Sequence, residues 1–192
     1  MAEAPCTGQG REAVLKAENA AVEMYRFAAL MLGNENEALE LVETTVAQVD
    51  IDPCADPSAV KGLVRERVLY GALEIMHRHD PASFTVPSSS PRTDSCIDDD
   101  STVPLSGEEI SHLVESAGRG PLRAWLERLS QAQRAVFVQR AVLGSSNADT
   151  ARAINRYSRP SIWTAEAVSN LFRQALCSLA SSLLHSAPAA QV

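Results

Sequence analysis

Leu129-Ser-Gln-Ala-Gln-Arg-Ala-Val-Phe-Val-Gln-Arg-Ala-Val-Leu143, followed by residues 147–155 and then by Thr164-Ala-Glu-Ala-Val-Ser-Asn-Leu-Phe-Arg-Gln-Ala-Leu176, is the run on which the fold turns. Ser130 with Gln133 has the spacing of a capping box, in which each side chain satisfies the other's free backbone amide. Gly144 closes that helix, Asn147 opens a second, and Thr164 caps a third. A helix, a helix, a turn and a longer helix make the layout of a helix-turn-helix reader of DNA.

The same punctuation extends outward from this run. Ser106-Gly-Glu-Glu109 forms another capping box, Gly118 and Gly120 end its short helix, and Pro121 starts a helix over residues 122–129. At the other end of the chain a helix is expected over residues 11–32. Val14, Ala17, Ala21, Met24, Ala28 and Met31 form its stripe, and Gly33 stops it. Asn34 caps a second helix to residue 49, with Glu35 and Glu37 at its positive end. Asp56 and Pro57 open a third, ending near His77, with Val60, Leu63, Val64, Val68, Ala72 and Ile75 facing inward. Between the halves, Pro81, Pro87, Pro91 and Pro104 combine with Ser88-Ser-Ser90 and Asp98-Asp-Asp100 to read as a flexible connector. No period-2 alternation marks a strand. The expected fold class is all-α: two small helical domains, residues 1–80 and 106–192, joined by a flexible acidic linker at 81–105, with the helix-turn-helix in the second domain.

Bulk properties narrow the function. A chain of 192 residues with 45% hydrophobic residues can bury a core, and it has no apolar run near the roughly 20 residues that span a bilayer. Met1-Ala-Glu-Ala-Pro-Cys6 lacks the basic and apolar regions of a secretory signal. Cys6, Cys54, Cys96 and Cys177 are scattered without a Cys-x-x-Cys pair, so reduced thiols in a cytoplasmic protein are expected, with no metal and no cofactor. No catalytic motif appears, and no enzymatic activity is expected. Residues 1–105 hold eight Lys and Arg against 18 Asp and Glu, a net of −10, whereas residues 106–192 hold nine Arg against six acids, a net of +3. Every cation of the second half is arginine, which grips phosphate bidentately. A GC-rich genome is an equally good reason for that bias.

The order of these pieces resembles the small extracytoplasmic-function sigma factors of bacteria. Tyr25-Arg-Phe-Ala-Ala-Leu-Met-Leu-Gly33 is similar to that family's first long helix and its terminating glycine. Glu37-Ala-Leu-Glu-Leu-Val-Glu-Thr-Thr-Val46 resembles its polymerase-gripping acidic helix, and Thr164-Ala-Glu-Ala-Val-Ser-Asn-Leu-Phe-Arg-Gln-Ala-Leu176 its recognition helix. The resemblance implies a transcription initiation factor that binds RNA polymerase core and promoter DNA, with an anti-sigma factor as a further partner. It carries polymerase contact onto Glu37, Glu40, Leu41, Glu43 and Thr44. It carries DNA contact onto Arg152, Arg156, Arg159, Thr164, Ser169, Asn170, Arg173 and Gln174.

The chain also departs from the family pattern. Glu74-Ile-Met-His-Arg-His-Asp80 stands where the family carries Arg, Lys and aromatics that melt DNA. The usual Gln-Glu pair is Glu43 and Thr44, and Ser169 and Asn170 replace cations after Val168. Arg156-Tyr-Ser-Arg-Pro-Ser-Ile-Trp163 lengthens a turn that ordinarily spans about 3–4 residues. These departures fit a sigma-like decoy or adaptor that binds a protein without DNA. A solvated face on an ordinary helical bundle is the plain alternative for both sets of residues. Trp125 is expected in the core, and Trp163 is expected to pack beside the cap of the last helix.

Overall fold

Local capping chemistry sets where the helices begin in a computed structural model, which describes residues 10–49, 56–86, 119–158 and 162–186. The described residues are helical with no strand. Two compact units are present, Met1–Ala72 and Leu73–Val192.

In the first unit, α1 (Gly10–Leu32) ends where Gly33 adopts φ 70° and donates its N–H to the Ala29 carbonyl at 2.9 Å. Only glycine takes that backbone conformation without steric cost. α2 (Glu35–Gln48) follows at once, because the Asn34 side chain accepts from the amides of Asn36 and Glu37 at 3.0 and 3.3 Å. α1 and α2 pack on each other. Met24, Phe27, Ala28 and Met31 of α1 and Ala38 and Val42 of α2 are buried. The expectation of an inner stripe on α1 therefore holds over its described side chains.

α3 (Pro57–His79) starts at the Asp56 cap, whose carboxylate accepts from the amides of Ser58 and Ala59 and from the Ser58 hydroxyl. These bonds, the Ser58 hydroxyl first, hold the Asp56 carboxyl below the ordinary carboxylate value. Val68 and Ala72 are buried as expected, but Leu63, assigned to the inner stripe, is exposed. Gly71 lets α2 approach: a Cβ placed there would lie 2.5 Å from Leu41 Cδ1.

The second unit begins inside α3, at Leu73, rather than after residue 80. Leu73 and Met76 are buried, and the chain then forms a 3-10 turn, Pro81–Phe84, capped by Asp80. The start of the segment read as a flexible linker is thus built into this unit. Phe84 is the physical reason. It is buried, its ring centroid lies 5.7 Å from that of His77, and such burial is worth roughly 2–3 kcal/mol. The Ser83 hydroxyl accepts from the Ala132 amide at 2.9 Å. The remaining linker residues, the 106–109 capping box and the tail after residue 186 lie outside the described residues.

α4 (Arg119–Arg128) starts before Pro121, not at it. Pro121 sits in the first turn, where its missing N–H has no intrahelical acceptor to lose. Ser130 and Gln133 form the expected capping box, with both reciprocal bonds present at 3.3 and 3.1 Å. They open α5 (Gln131–Phe137), which continues as a π-helical segment, Val138–Val142. Within the bend, the buried Gln139 side chain donates to the Ala135 carbonyl, and the Leu143 amide reaches back five residues to Val138. Gly144, at φ 64°, ends it.

α6 (Asn147–Asn155) and α7 (Ala165–Ser186) pack on each other, and α4 and α5 also pack on α7. Trp125 is buried as expected. Its ring meets Phe137 edge-on at 4.8 Å, and its indole donates to the Ser178 hydroxyl at 3.1 Å.

Candidate functional site

The sequence points to two separate surfaces, one on each unit. On the first, α2 buries Ala38, Val42 and Thr45 and turns its other side to water. Glu40, Glu43 and Thr44 are exposed there, while Glu37 and Leu41 are half-buried. Leu41 belongs to the packing beside Gly71 more than to the outer face. Leu39 and Val46, 48% and 42% exposed, share that outer face with Glu43 and were not among the expected contacts. Their spacing of seven is a readable signal, since it sets a second apolar line beside the buried one.

On the second unit, the end of α6 is tied to the residue before the α7 cap by one side chain. The Asn155 carboxamide accepts from the Trp163 amide at 2.7 Å and donates to the Trp163 carbonyl at 2.8 Å. The buried Trp163 indole donates to the Phe84 carbonyl, also at 2.8 Å. Thr164 then caps α7 through its hydroxyl, which accepts from Ala167 N at 3.1 Å. Sequence reading missed Asn155, because a contact eight residues away through a side-chain amide leaves no periodic trace.

The expected DNA-contacting residues fall into three groups. Arg152, Arg156 and Thr164 are exposed near the ends of α6 and α7. Ser169, Asn170, Arg173 and Gln174 are half-buried, and the Arg173 guanidinium donates to the Asn170 side-chain oxygen. Arg159 lies outside the described residues. Arg152 bonds Asp149 at 2.5 Å, and Asp149 also accepts from the Ser146 hydroxyl at 2.6 Å. The Ser146 bond first, then the Arg152 bond, holds the Asp149 carboxyl below its ordinary value.

Other arginines of the unit serve the fold. Arg134 donates to the carbonyls of Leu126 and Glu127, and its burial lowers its basicity. Arg140 donates to the Ser145 carbonyl at 2.6 Å and places its guanidinium 5.1 Å from the Phe172 ring centroid. Arg128 donates to the Ser182 hydroxyl, and Arg123 pairs with Glu127. Several guanidinium groups of the second half are therefore held by partners within the unit.

The expectation of reduced thiols is corrected at Cys177, which is disulfide-bonded. Sequence spacing could not show this, because a disulfide needs two Cβ atoms brought within about 4 Å by the fold. Among the described residues, no group of three His, Cys, Asp or Glu is placed to hold a metal ion. No described helix is long and apolar enough to cross a membrane. Comparison of the chain with protein-family models, with curated proteins and with solved structures finds no match.

Proposed function

We propose that the chain is a sigma-factor-like transcription regulator that grips RNA polymerase core through the outer face of α2 and meets promoter DNA with the α6–α7 corner. The observation that carries this reading is the packing of α6 against α7. A nine-residue helix and a 22-residue helix are held together by the Asn155 clamp, with Arg152, Arg156 and the Thr164 cap on the outside. A helix N-terminus with nearby guanidinium groups favours a phosphate backbone. On α2, Leu39 and Val46 offer apolar contact within a carboxylate rim of Glu40 and Glu43, which suits a basic protein surface.

A second reading, a sigma-like adaptor that binds a protein such as an anti-sigma factor without DNA, is favoured by one specific feature. The guanidinium groups of Arg173, Arg140 and Arg134 are engaged within the unit, and Arg152 is paired with Asp149. Salt titration of binding to a promoter-fragment pool separates the two. Phosphate contacts from Arg152 and Arg156 alone give a log–log slope of about −2. A flat titration, together with no promoter-dependent transcript on adding the protein to core polymerase, refutes the DNA reading. On the polymerase side, Leu39→Asp paired with Val46→Asp is expected to abolish capture of core polymerase while leaving the helical signal intact.

A further inference from the structure

The 3-10 turn that follows α3, Pro81–Phe84, is bonded into the C-terminal unit at the ends of its helices. Asp80 caps the turn by accepting from the Ser83 amide at 3.1 Å. The Ser83 hydroxyl accepts from the Ala132 amide at 2.9 Å, one of the first-turn N–H groups of α5 that no intrahelical carbonyl can serve. The Phe84 carbonyl accepts from the Trp163 indole at 2.8 Å. Trp163 is bonded through its own amide and carbonyl to Asn155, the last residue of α6. It also immediately precedes Thr164, whose hydroxyl caps α7. One chain of bonds thus runs from the end of α3, through this strap, to the start of α5, the end of α6 and the start of α7.

We propose that the strap is a latch on the α6–α7 corner. Seated, it holds the corner assembled; lifted, it loosens the tie between α6 and the start of α7 without unfolding the unit. Trp163 transmits the effect. Its indole is buried, so withdrawal of the Phe84 carbonyl strands an N–H donor away from water. The residue then shifts to recover a partner, and both bonds to Asn155 and the neighbouring Thr164 cap shift with it. The latch concerns the corner whether or not the corner meets DNA. Its effect on DNA affinity is the part that rests on the DNA reading.

The latch is poised because opposing contributions are of similar size. Seating the strap buries the Phe84 ring and makes the two bonds from Ala132 and Trp163. Pro81 and Ala82 are exposed and add little. Against these gains stands the conformational entropy of ordering the four residues of the turn. One buried ring and two hydrogen bonds offset a cost of that order without far exceeding it. By contrast, Trp125, Phe137 and Phe172 form a run of ring contacts within the same unit. Segments with few buried apolar contacts open at free energies below that of global unfolding. The strap is such a segment, and the ring cluster is not.

The test follows hydrogen exchange by NMR in the full chain at low, non-unfolding urea concentrations. The Trp163 indole, the Trp163 amide and the Ala167 amide should exchange through one shared opening. That opening should be at least about tenfold more populated than the one exposing the Trp125 indole, which donates to Ser178 in the same unit. In Ser83→Ala and Phe84→Leu the three strap-linked protons should exchange several-fold faster again, with the Trp125 indole unchanged; Thr85→Ala, at an exposed position, should alter none of them. Exchange of all four protons only through global unfolding overturns the proposal, and this arm needs no variant to fold. A faster Trp163 indole with unchanged Trp163 and Ala167 amides also overturns it, because the strap would then not govern the corner. Promoter-fragment DNA at low salt should bind about tenfold more weakly to Ser83→Ala than to the unaltered chain, within the usual range of couplings between sites. If exchange behaves as stated while neither protein binds DNA, the latch stands and the DNA reading of the corner is the part that fails.

Discussion

Replacing Trp163 with Phe removes one hydrogen bond from the middle of the C-terminal unit. The Trp163 indole donates to the Phe84 carbonyl at 2.8 Å, and both residues are buried. No water can enter such a site without enlarging it, so the Phe84 carbonyl loses its partner, at a cost of about 1–3 kcal/mol. The smaller ring also leaves a void of roughly 40 Å³, which at about 24 cal/mol per Å³ adds ~1 kcal/mol. The total is roughly 2–4 kcal/mol. At about 4 °C per kcal/mol for a unit of this size, Tm should fall by roughly 8–16 °C. Trp125 remains as the only tryptophan, since the chain has two, and it lies in the same unit. Thermal unfolding followed by its fluorescence therefore reports the lost bond directly. The neighbouring Ile162→Ala is the control: Ile162 is 75% exposed, and its removal should shift stability by no more than ~0.5 kcal/mol. Equal midpoints for Trp163→Phe and Ile162→Ala would show that the 3-10 turn does not depend on this bond. The account of why residues 81–84 belong to the C-terminal unit would then be wrong.

Three further outcomes follow from local geometry. Gly144→Ala places a Cβ at φ 64° with no neighbouring atom to clash, so the cost is backbone strain alone, about 1–2 kcal/mol by denaturant unfolding, and Gly144→Asn should recover part of it. Gly71→Leu forces a side chain into Leu41 and should destabilise the N-terminal unit by about 1–3 kcal/mol, while Gly62→Leu, with open space around it, should not. The Asp149 carboxyl is held below its unfolded value, so its stabilising contribution is present above that value and disappears as pH falls through the folded one. An NMR titration should show the Asp149 pKa rising in Ser146→Ala, whose hydroxyl is the largest cause of the depression, and an unchanged titration would contradict the assignment of that cause.

Much of the helical framework is legible in the sequence. Asn34, Asp56, Ser130, Gln133 and Thr164 each mark a helix start, because a cap is a bond to an amide two or three residues away and is written entirely in local sequence. Gly33 and Gly144 mark stops for a related reason, since a left-handed residue is chosen residue by residue. The helix around Pro121 began earlier than expected because proline is tolerated anywhere in the first turn and does not specify which position it fills. Leu63 was misplaced because α3 is apolar over a wide arc, and periodicity alone does not say how much of that arc is covered.

The candidate surfaces were legible only as residue types. Arg173 reads in sequence as a phosphate ligand, yet it bonds Asn170, and the neighbouring Arg140 lies over Phe172. A guanidinium on a long flexible stem reaches a ring, a carbonyl or water with similar ease, and its choice depends on neighbours brought in from elsewhere in the chain. The same holds for Phe84, whose role comes from Trp163, 79 residues further along the chain.

By itself, then, the amino-acid order determined that this chain is helical, and where most helices start and stop, because those decisions rest on bonds spanning a few residues. Tertiary structure alone decided that Phe84 belongs with Trp163, that Leu39 and Val46 stay outside, and which arginines are spent inside the unit. The physical reason is range. Capping energies are settled within one turn, whereas burial and side-chain pairing are settled only when segments far apart in sequence meet.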